Sequence, residues 1–437
     1  MFMRGESGKE NGLPGGVLGT LLMRFPQFPD RALRFSLCVA ACLALIAPWS
    51  PSALALSYDP KVLPKGREYF QLRGGVNNAR VKFEKEKTGR VAFLGGAITA
   101  APGWRYPVME YLQKRFPETK FEFIGAGIGS LGSVPHAFRL EQDVLSKGPV
   151  DLLFVEAAVN DASNHPELPK QMLRGMEGVV RHARTANPKT DIVQMHFVMP
   201  PHMEDYNEGR VPEVIQQHEK VAVAYGNPSL DLALEVTERI NAGEFTWADD
   251  FKGLHPSPFG NQLYANSISR MLEAAWSGPM KPVQTHPLPA SPVDSHSYFR
   301  GRFGKLDDVK ILKGFERMTP WKPAVAAKTH GLLTKDAPAL VALQPGAELE
   351  LAFEGTAAGL LIGAGPDTGI LEVSCDGGPS KKIETFTSWS TGLYLAWAVM
   401  LEDELAPGRH VLRVKVSDQH HPKSVGTGLY VFRILEN

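Results

Sequence analysis

The chain has 437 residues, 43% of them hydrophobic, with 47 Lys plus Arg against 47 Asp plus Glu. That length exceeds one ordinary core and suits two folded units once a targeting segment is set aside. Balanced charge without a basic block excludes the electrostatic footprint of a nucleic-acid or anionic-lipid binder, so the expected partner is neutral or small.

Residues 1–55 read as leader and signal peptide. Arg31 and Arg34 precede an apolar run over 35–49, and Ala53-Leu54-Ala55 offers small residues at cleavage spacing. The run is shorter than the roughly 20 residues that cross a bilayer. The expectation is export to the periplasm or beyond, with cleavage after Ala55 and no stable membrane embedding afterwards; an uncleaved anchor is the alternative. Val39-Ala40-Ala41-Cys42 resembles a lipoprotein cleavage box, but too few apolar residues precede it. Cys38 and Cys42 fall in this segment, which leaves Cys375 as the single thiol of the processed chain and no internal disulfide.

Within 56–277, short apolar runs alternate with segments of helical period, the pattern of an α/β domain with a parallel sheet. Strands are predicted at 91–94, 121–124, 151–155, 191–195 and 229–232. Helices are predicted at 106–116, 136–147, 168–187, 211–225, 233–242 and 258–276. Pro279, Pro282, Pro287, Pro289 and Pro292 mark 278–293 as a linker. Beyond it, 294–437 is β-rich: 347–351 and 410–416 alternate apolar with polar residues, as half-buried antiparallel strands of a β-sandwich or jelly roll do.

Four short blocks carry the chemistry. Gly95-Gly96-Ala97-Ile98-Thr99 leaves the first strand in a sharp turn, where a side chain is displayed at the carboxyl end of the sheet. Gly127-Ile128-Gly129-Ser130 follows the second strand, Val159-Asn160-Asp161 the third, and His255-Pro256 precedes the last helix. Taken singly, each has a plain reading: a glycine strand exit, a turn pair, a helix start.

Together, in this order, the blocks resemble the SGNH, or GDSL-type, hydrolase family over about 90–276. The wording is closest to a bacterial subgroup with a Gly-Gly-Ser-Ile-Thr first block and a β-rich extension, mostly inferred to act on acylated carbohydrates. The resemblance implies a three-layer, flavodoxin-like α/β fold. It places Ala97 at the nucleophile position, Ser130 or Gly129 at the second-block oxyanion donor, Asn160 at the third-block donor and His255 at the base. Two departures stand out. Alanine has no hydroxyl to attack a carbonyl carbon, and Lys252 stands three residues before the histidine where an aspartate usually orients the imidazole. Asp250 is the substitute to be considered, with Asp249 beside it. Thr99 is expected to cap the following helix rather than attack.

Glu156 either lines the cleft or pairs with Arg139. His165, His182, His196, His202, His218 and His286 show no metal-ligand spacing, so neither metal nor cofactor is expected. In the second region, Phe386, Trp389, Tyr394 and Trp397 are either core residues or sugar-stacking faces, and Asp418, His420 and His421 read as solvated surface. The leading expectation is an exported protein of carbohydrate O-acyl esterase type that binds an acylated glycan or another acylated small molecule. Its hydrolysis is weak or lost at Ala97, because an oxyanion hole without its nucleophile keeps only a part of the rate. The alternatives are a working hydrolase in which His255 activates water against an ester or glycosidic bond, and a non-catalytic glycan-binding or structural protein.

Overall fold

The structure, a computed structural model, describes residues 67–163, 168–330, 332–333 and 337–437. The segment read as leader and signal peptide, with Cys38 and Cys42, and His165 lie outside the described residues. All described residues fall within one compact unit, Ser57–Asn437.

The amino-terminal region is built on one sheet. Its parallel strands are β2 (Thr88–Gly95), β3 (Lys120–Gly127), β4 (Leu152–Glu156), β5 (Asp191–Met195) and β6 (Ser229–Leu230), and β1 (Phe70–Gln71) adds an antiparallel edge beside β6. The spatial order β3-β2-β4-β5-β6 is the flavodoxin-like arrangement. In such a sheet the strand order reverses between β2 and β4, and the crevice at their carboxyl ends is where ligands sit. The first and third sequence blocks leave these two strands.

Strand alternation supplies both cores. Val91 and Phe93 of β2, with Leu152 and Phe154 of β4, face one apolar cluster. Helices α1 (Asn77–Glu84), α3 (Arg105–Arg115) and α10 (Pro258–Trp276) close over it. Ala92, Leu94, Leu153 and Val155 face the other side, under α4 (Ser133–Asp143), α6 (Pro169–Ala186) and α8 (Glu213–Tyr225). Trp104 is fully buried on the first side between Phe93, Phe154 and Phe197, and burial of an aromatic this size is worth roughly 1.5–3 kcal/mol.

The predicted strands and helices all occur, with shifts at their ends. The helix expected at 136–147 is α4, beginning three residues earlier at Ser133 because Pro135 is compatible with a first turn, and it gives way to a 3-10 turn at Leu145–Lys147. Asp231, assigned to a strand by pattern, instead caps α9 (Leu232–Asn241) by accepting from Leu234 N at 2.9 Å. Helices α1, α2 (Ala97–Ala100), α5 (Ala158–Ser163) and α7 (Pro200–Asn207) were not predicted; none exceeds eight residues, too short for an apolar period to declare itself.

After α10, residues 277–301 contain neither helix nor strand. They are strapped along the α/β region. Asn78 donates to Gln284 O, Arg181 to Pro289 O, and His286 Nε2 lies 2.7 Å from Asp191 Oδ1. Beyond lie two mostly antiparallel sheets. One has β10 (Lys328–His330), β16 (Leu393–Glu402), β13 (Ala358–Ala364), β18 (Leu429–Glu436), β11 (Ala339–Ala342) and β9 (Glu316–Met318), with β7 (Arg302–Gly304) paired to β18. The second has β15 (Lys381–Glu384), β14 (Ile370–Cys375), β17 (Gly408–Val416), β12 (Glu348–Gly355) and β8 (Lys310–Lys313). Their inner faces meet over Leu349, Leu351, Leu360, Ile362, Val373, Leu412, Val414 and Val431.

The outer face of the first sheet is also apolar. Leu361, Tyr394, Ala396, Tyr430 and Phe432 join the same cluster as Ala137, Phe138, Met176 and Val179 of α4 and α6. The two regions therefore share a core. Arg174 of α6, almost fully buried, pins the seam through Asp294 at 3.0 Å, Asp403 at 3.2 Å and Glu404 at 2.8 Å.

Candidate active site

At the end of β2 the chain turns through Gly95 and Gly96 into α2, whose first residue is Ala97. A β-carbon on Gly95 would stand 2.0 Å from Glu156 Oε1, and one on Gly96 would stand 2.0 Å from Asn160 Oδ1. Only glycine lets the first and third blocks approach this closely. Glu156 lies beneath the turn, where its Oε1 accepts from Gly96 N and from the Thr99 hydroxyl, both at 2.6 Å. Thr99 is thus not the cap expected of it; its hydroxyl points inward to this carboxylate. Full burial pushes the Glu156 carboxyl up to about 7, against the opposing pull of its two donors. Arg139 bonds Asp143 and the carbonyls of Gly95 and Ala126.

The second block leaves β3 at Gly127. Ser130 has φ +69°, a left-handed backbone that costs a side-chain-bearing residue energy. Its Oγ lies 3.3 Å from Nδ1 of His330, at the end of β10 in the carboxyl-terminal region. His330 also fills the space beside Gly129, where a β-carbon would stand 2.6 Å from the ring.

Asn160 sits in helix α5 and not in a simple turn. The neighbouring Asp161 is buried and ties the blocks together. Its Oδ1 accepts from Ser133 N at 2.7 Å and its Oδ2 lies 3.0 Å from His218 Nε2. Gly132 leaves room for that carboxylate, since a β-carbon there would stand 2.0 Å from Oδ1.

His255 is exposed, on the loop between the turn at Trp247–Phe251 and α10. Among the described residues its imidazole has no hydrogen-bond partner. Asp250 faces away into its own turn, accepting from Thr246 N at 2.8 Å and from the Thr246 hydroxyl at 3.2 Å. Asp249 likewise faces the Thr246 hydroxyl. Lys252 occupies a left-handed position, φ +66°.

These elements enclose a cleft of about 170 Å³. Ala97, Ser130, Asn160 and His255 line it from the α/β side, with Ile98, Val159 and Leu254 as apolar wall. His330, Trp389, Leu393 and Leu395 line it from the other. Of the aromatics weighed as sugar platforms, Trp389 is 42% exposed at the cleft, whereas Tyr394 and Phe386 are buried. Phe386 stacks on His421 at 4.5 Å. His330 escaped the sequence reading altogether: it lies 200 residues from Ser130, in a short exposed strand with no pattern to mark it.

Of the remaining histidines, His196, His202, His218 and His286 are engaged with Glu219, Phe197 O, Asp161 and Asp191 respectively. Away from the cleft, Cys375, Asp376 and His410 bring potential ligand atoms within 4.8 Å of one another. Their chemistry suits a metal poorly. His410 Nδ1 lies 2.7 Å from Asp376 Oδ2 and Nε2 2.8 Å from Ala406 O, so both ring nitrogens face acceptors. Burial also pushes the Cys375 thiol up to about 11, away from the thiolate a metal requires.

Residues 93–263 match the model of the GDSL-like lipase/acylhydrolase family, and the sheet that carries them has the strand order of the SGNH fold. Among solved structures, the chain resembles a two-domain esterase active on acetylated mannans: 21% identity, a TM-score of 0.64, covering 80% of this chain and 91% of that one. The same type of esterase co-crystallised with mannopentaose gives 20% identity and a TM-score of 0.62, over 80% and 90% of the two chains. The likeness thus extends across both regions of the fold. No curated protein matches the sequence.

Proposed function

We propose that the protein is an exported, carbohydrate O-acyl esterase-type protein whose cleft receives an acylated glycan, and that turnover through residue 97 is lost. The observation that carries this reading is the convergence of Ala97, Ser130, Asn160 and His255 on one cleft whose opposite bank is an exposed indole, Trp389. An aromatic face beside an oxyanion-type site suits a sugar ring carrying an acyl ester. The two-domain esterases of similar fold act on acetylated mannans, which makes acetylated manno-oligosaccharides the first ligands to try.

Backbone N–H groups and the Asn160 amide keep the capacity to stabilise an oxyanion, since neither depends on a serine. With a methyl group at residue 97, with Lys252 in the place of the orienting acid and with Asp250 turned to Thr246, the family's acyl-transfer route has no nucleophile and no oriented base. The experiment is a paired measurement on the full chain: calorimetric titration with acetylated and deacetylated manno-oligosaccharides, and p-nitrophenyl acetate hydrolysis. Preferential binding of the acetylated form with turnover far below roughly ten per second is expected. Absence of binding, or turnover at the level of an ordinary esterase, would overturn the reading.

A further inference from the structure

The geometry points to Ser130 as a relocated nucleophile, with His330 of the carboxyl-terminal region as its base, serving the residual acyl transfer of the cleft. The inference rests on the acyl-ligand reading above and deepens it. Three observations meet here. Ser130 Oγ and His330 Nδ1 are 3.3 Å apart, the loose end of the spacing at which an imidazole takes a hydroxyl proton in an unliganded site. Both residues line the cleft that holds Ala97, Asn160 and His255. Ser130 keeps a left-handed backbone, φ +69°, that glycine would adopt at no cost, so a hydroxyl-bearing side chain is held in the cleft at an energetic penalty.

The methyl group of Ala97 leaves unfilled the place where a family nucleophile would approach the acyl carbon, and Ser130 lies across the same cleft. With the imidazole proton on Nε2, the Ser130 hydroxyl donates to Nδ1. As Oγ bonds to the acyl carbon, its proton passes to Nδ1 and the carbonyl pair moves onto oxygen, toward Asn160. Collapse breaks the bond between acyl carbon and sugar oxygen, which leaves as the alcohol with the proton from Nδ1. Water then attacks the acyl-Ser130 ester, giving its proton to Nδ1, and the carboxylic acid departs as Ser130 recovers that proton. Among the described residues no carboxylate orients Nε2 of His330, so the pair works as a dyad. In a serine protease, disturbing the orienting acid alone slows turnover about 10⁴-fold, which is why this route stays slow beside a full triad.

The test uses a fluorophosphonate probe on the full chain, with tryptic mapping of the adduct. Ser130→Gly removes the hydroxyl while suiting the left-handed backbone, so it keeps the fold; His330→Gln keeps a hydrogen-bonding side chain without a base. The expected result is an adduct on Ser130, absent in Ser130→Gly and slowed at least about 10²-fold in His330→Gln. No adduct on the natural chain, an adduct on another residue, or labelling that survives His330→Gln but is lost in His255→Ala would overturn the proposal. Glycan titration on the same variants separates the two readings: binding without labelling removes this inference and leaves the proposed function standing.

Discussion

Beneath the Gly95–Gly96 turn the Thr99 hydroxyl donates a 2.6 Å hydrogen bond to the fully buried Glu156 carboxylate. The carboxyl titrates near 7 in the folded chain, above its ordinary 4.5, because burial penalises the charge. A raised carboxyl means that the folded state binds the proton more tightly than the unfolded state. Stability is therefore greatest below about 4.5 and is lost as the pH rises toward 7. The shift corresponds to roughly 3 kcal/mol. Glu156→Gln keeps an acceptor for Gly96 N and Thr99. It is expected to flatten the fall in stability between those two pH values, as read by urea unfolding at a series of pH values. An unchanged slope would show that Glu156 is not the titrating group.

Restoring a hydroxyl at the first block should recover part of the family's chemistry. Ala97→Ser is expected to raise p-nitrophenyl acetate hydrolysis by about 10-fold, limited by the unoriented His255. Adding Lys252→Asp should give a further rise, on the order of 10²-fold, since an orienting carboxylate is worth up to about 10⁴. Position 252 has φ +66°, which aspartate tolerates better than lysine. Steady-state kinetics of the single and double variants would show whether the two gains multiply.

Trp389 is exposed and on a loop, so its removal should spare the fold. Trp389→Ala is expected to weaken binding of an acetylated manno-oligosaccharide by about 10-fold, the worth of one aromatic contact. Thermal unfolding should move little. An unchanged dissociation constant would remove the indole from the ligand's path.

Arg174 holds two regions of the chain together from one buried guanidinium. Arg174→Ala removes the buried counter-charge shared by Asp294, Asp403 and Glu404, at an expected cost of about 2–4 kcal/mol. Because the apolar cluster under it is continuous, urea should unfold the α/β and β regions in a single transition. Two separated transitions in the natural chain would contradict a shared core.

The α/β region was legible because its strands are short apolar runs bounded by turn residues, and its helices carry a three- and four-residue period. Ala97, Ser130, Asn160 and His255 were singled out by the resemblance of their four blocks to the SGNH family, and the fold brings all four to one cleft. Asp250 was proposed by proximity in sequence, which cannot reveal that a carboxylate will cap Thr246. His330 was beyond reach, and Trp389 could be weighed only as a core residue or a sugar-stacking face: both come to the cleft through a sheet packed on helices more than a hundred residues away, a relationship with no local periodicity. The Pro-rich stretch was readable as irregular chain, but its bonding to Asn78, Arg181 and Asp191 belongs to tertiary structure.

The continuous cluster beneath α4 and α6 has a consequence for how such a molecule can be inherited. Severing the chain within 277–301 would bare Phe138 and Met176 on one piece and Tyr430 and Phe432 on the other, leaving both with adhesive faces. Gene fragments encoding either half would not travel alone to new hosts as usable modules.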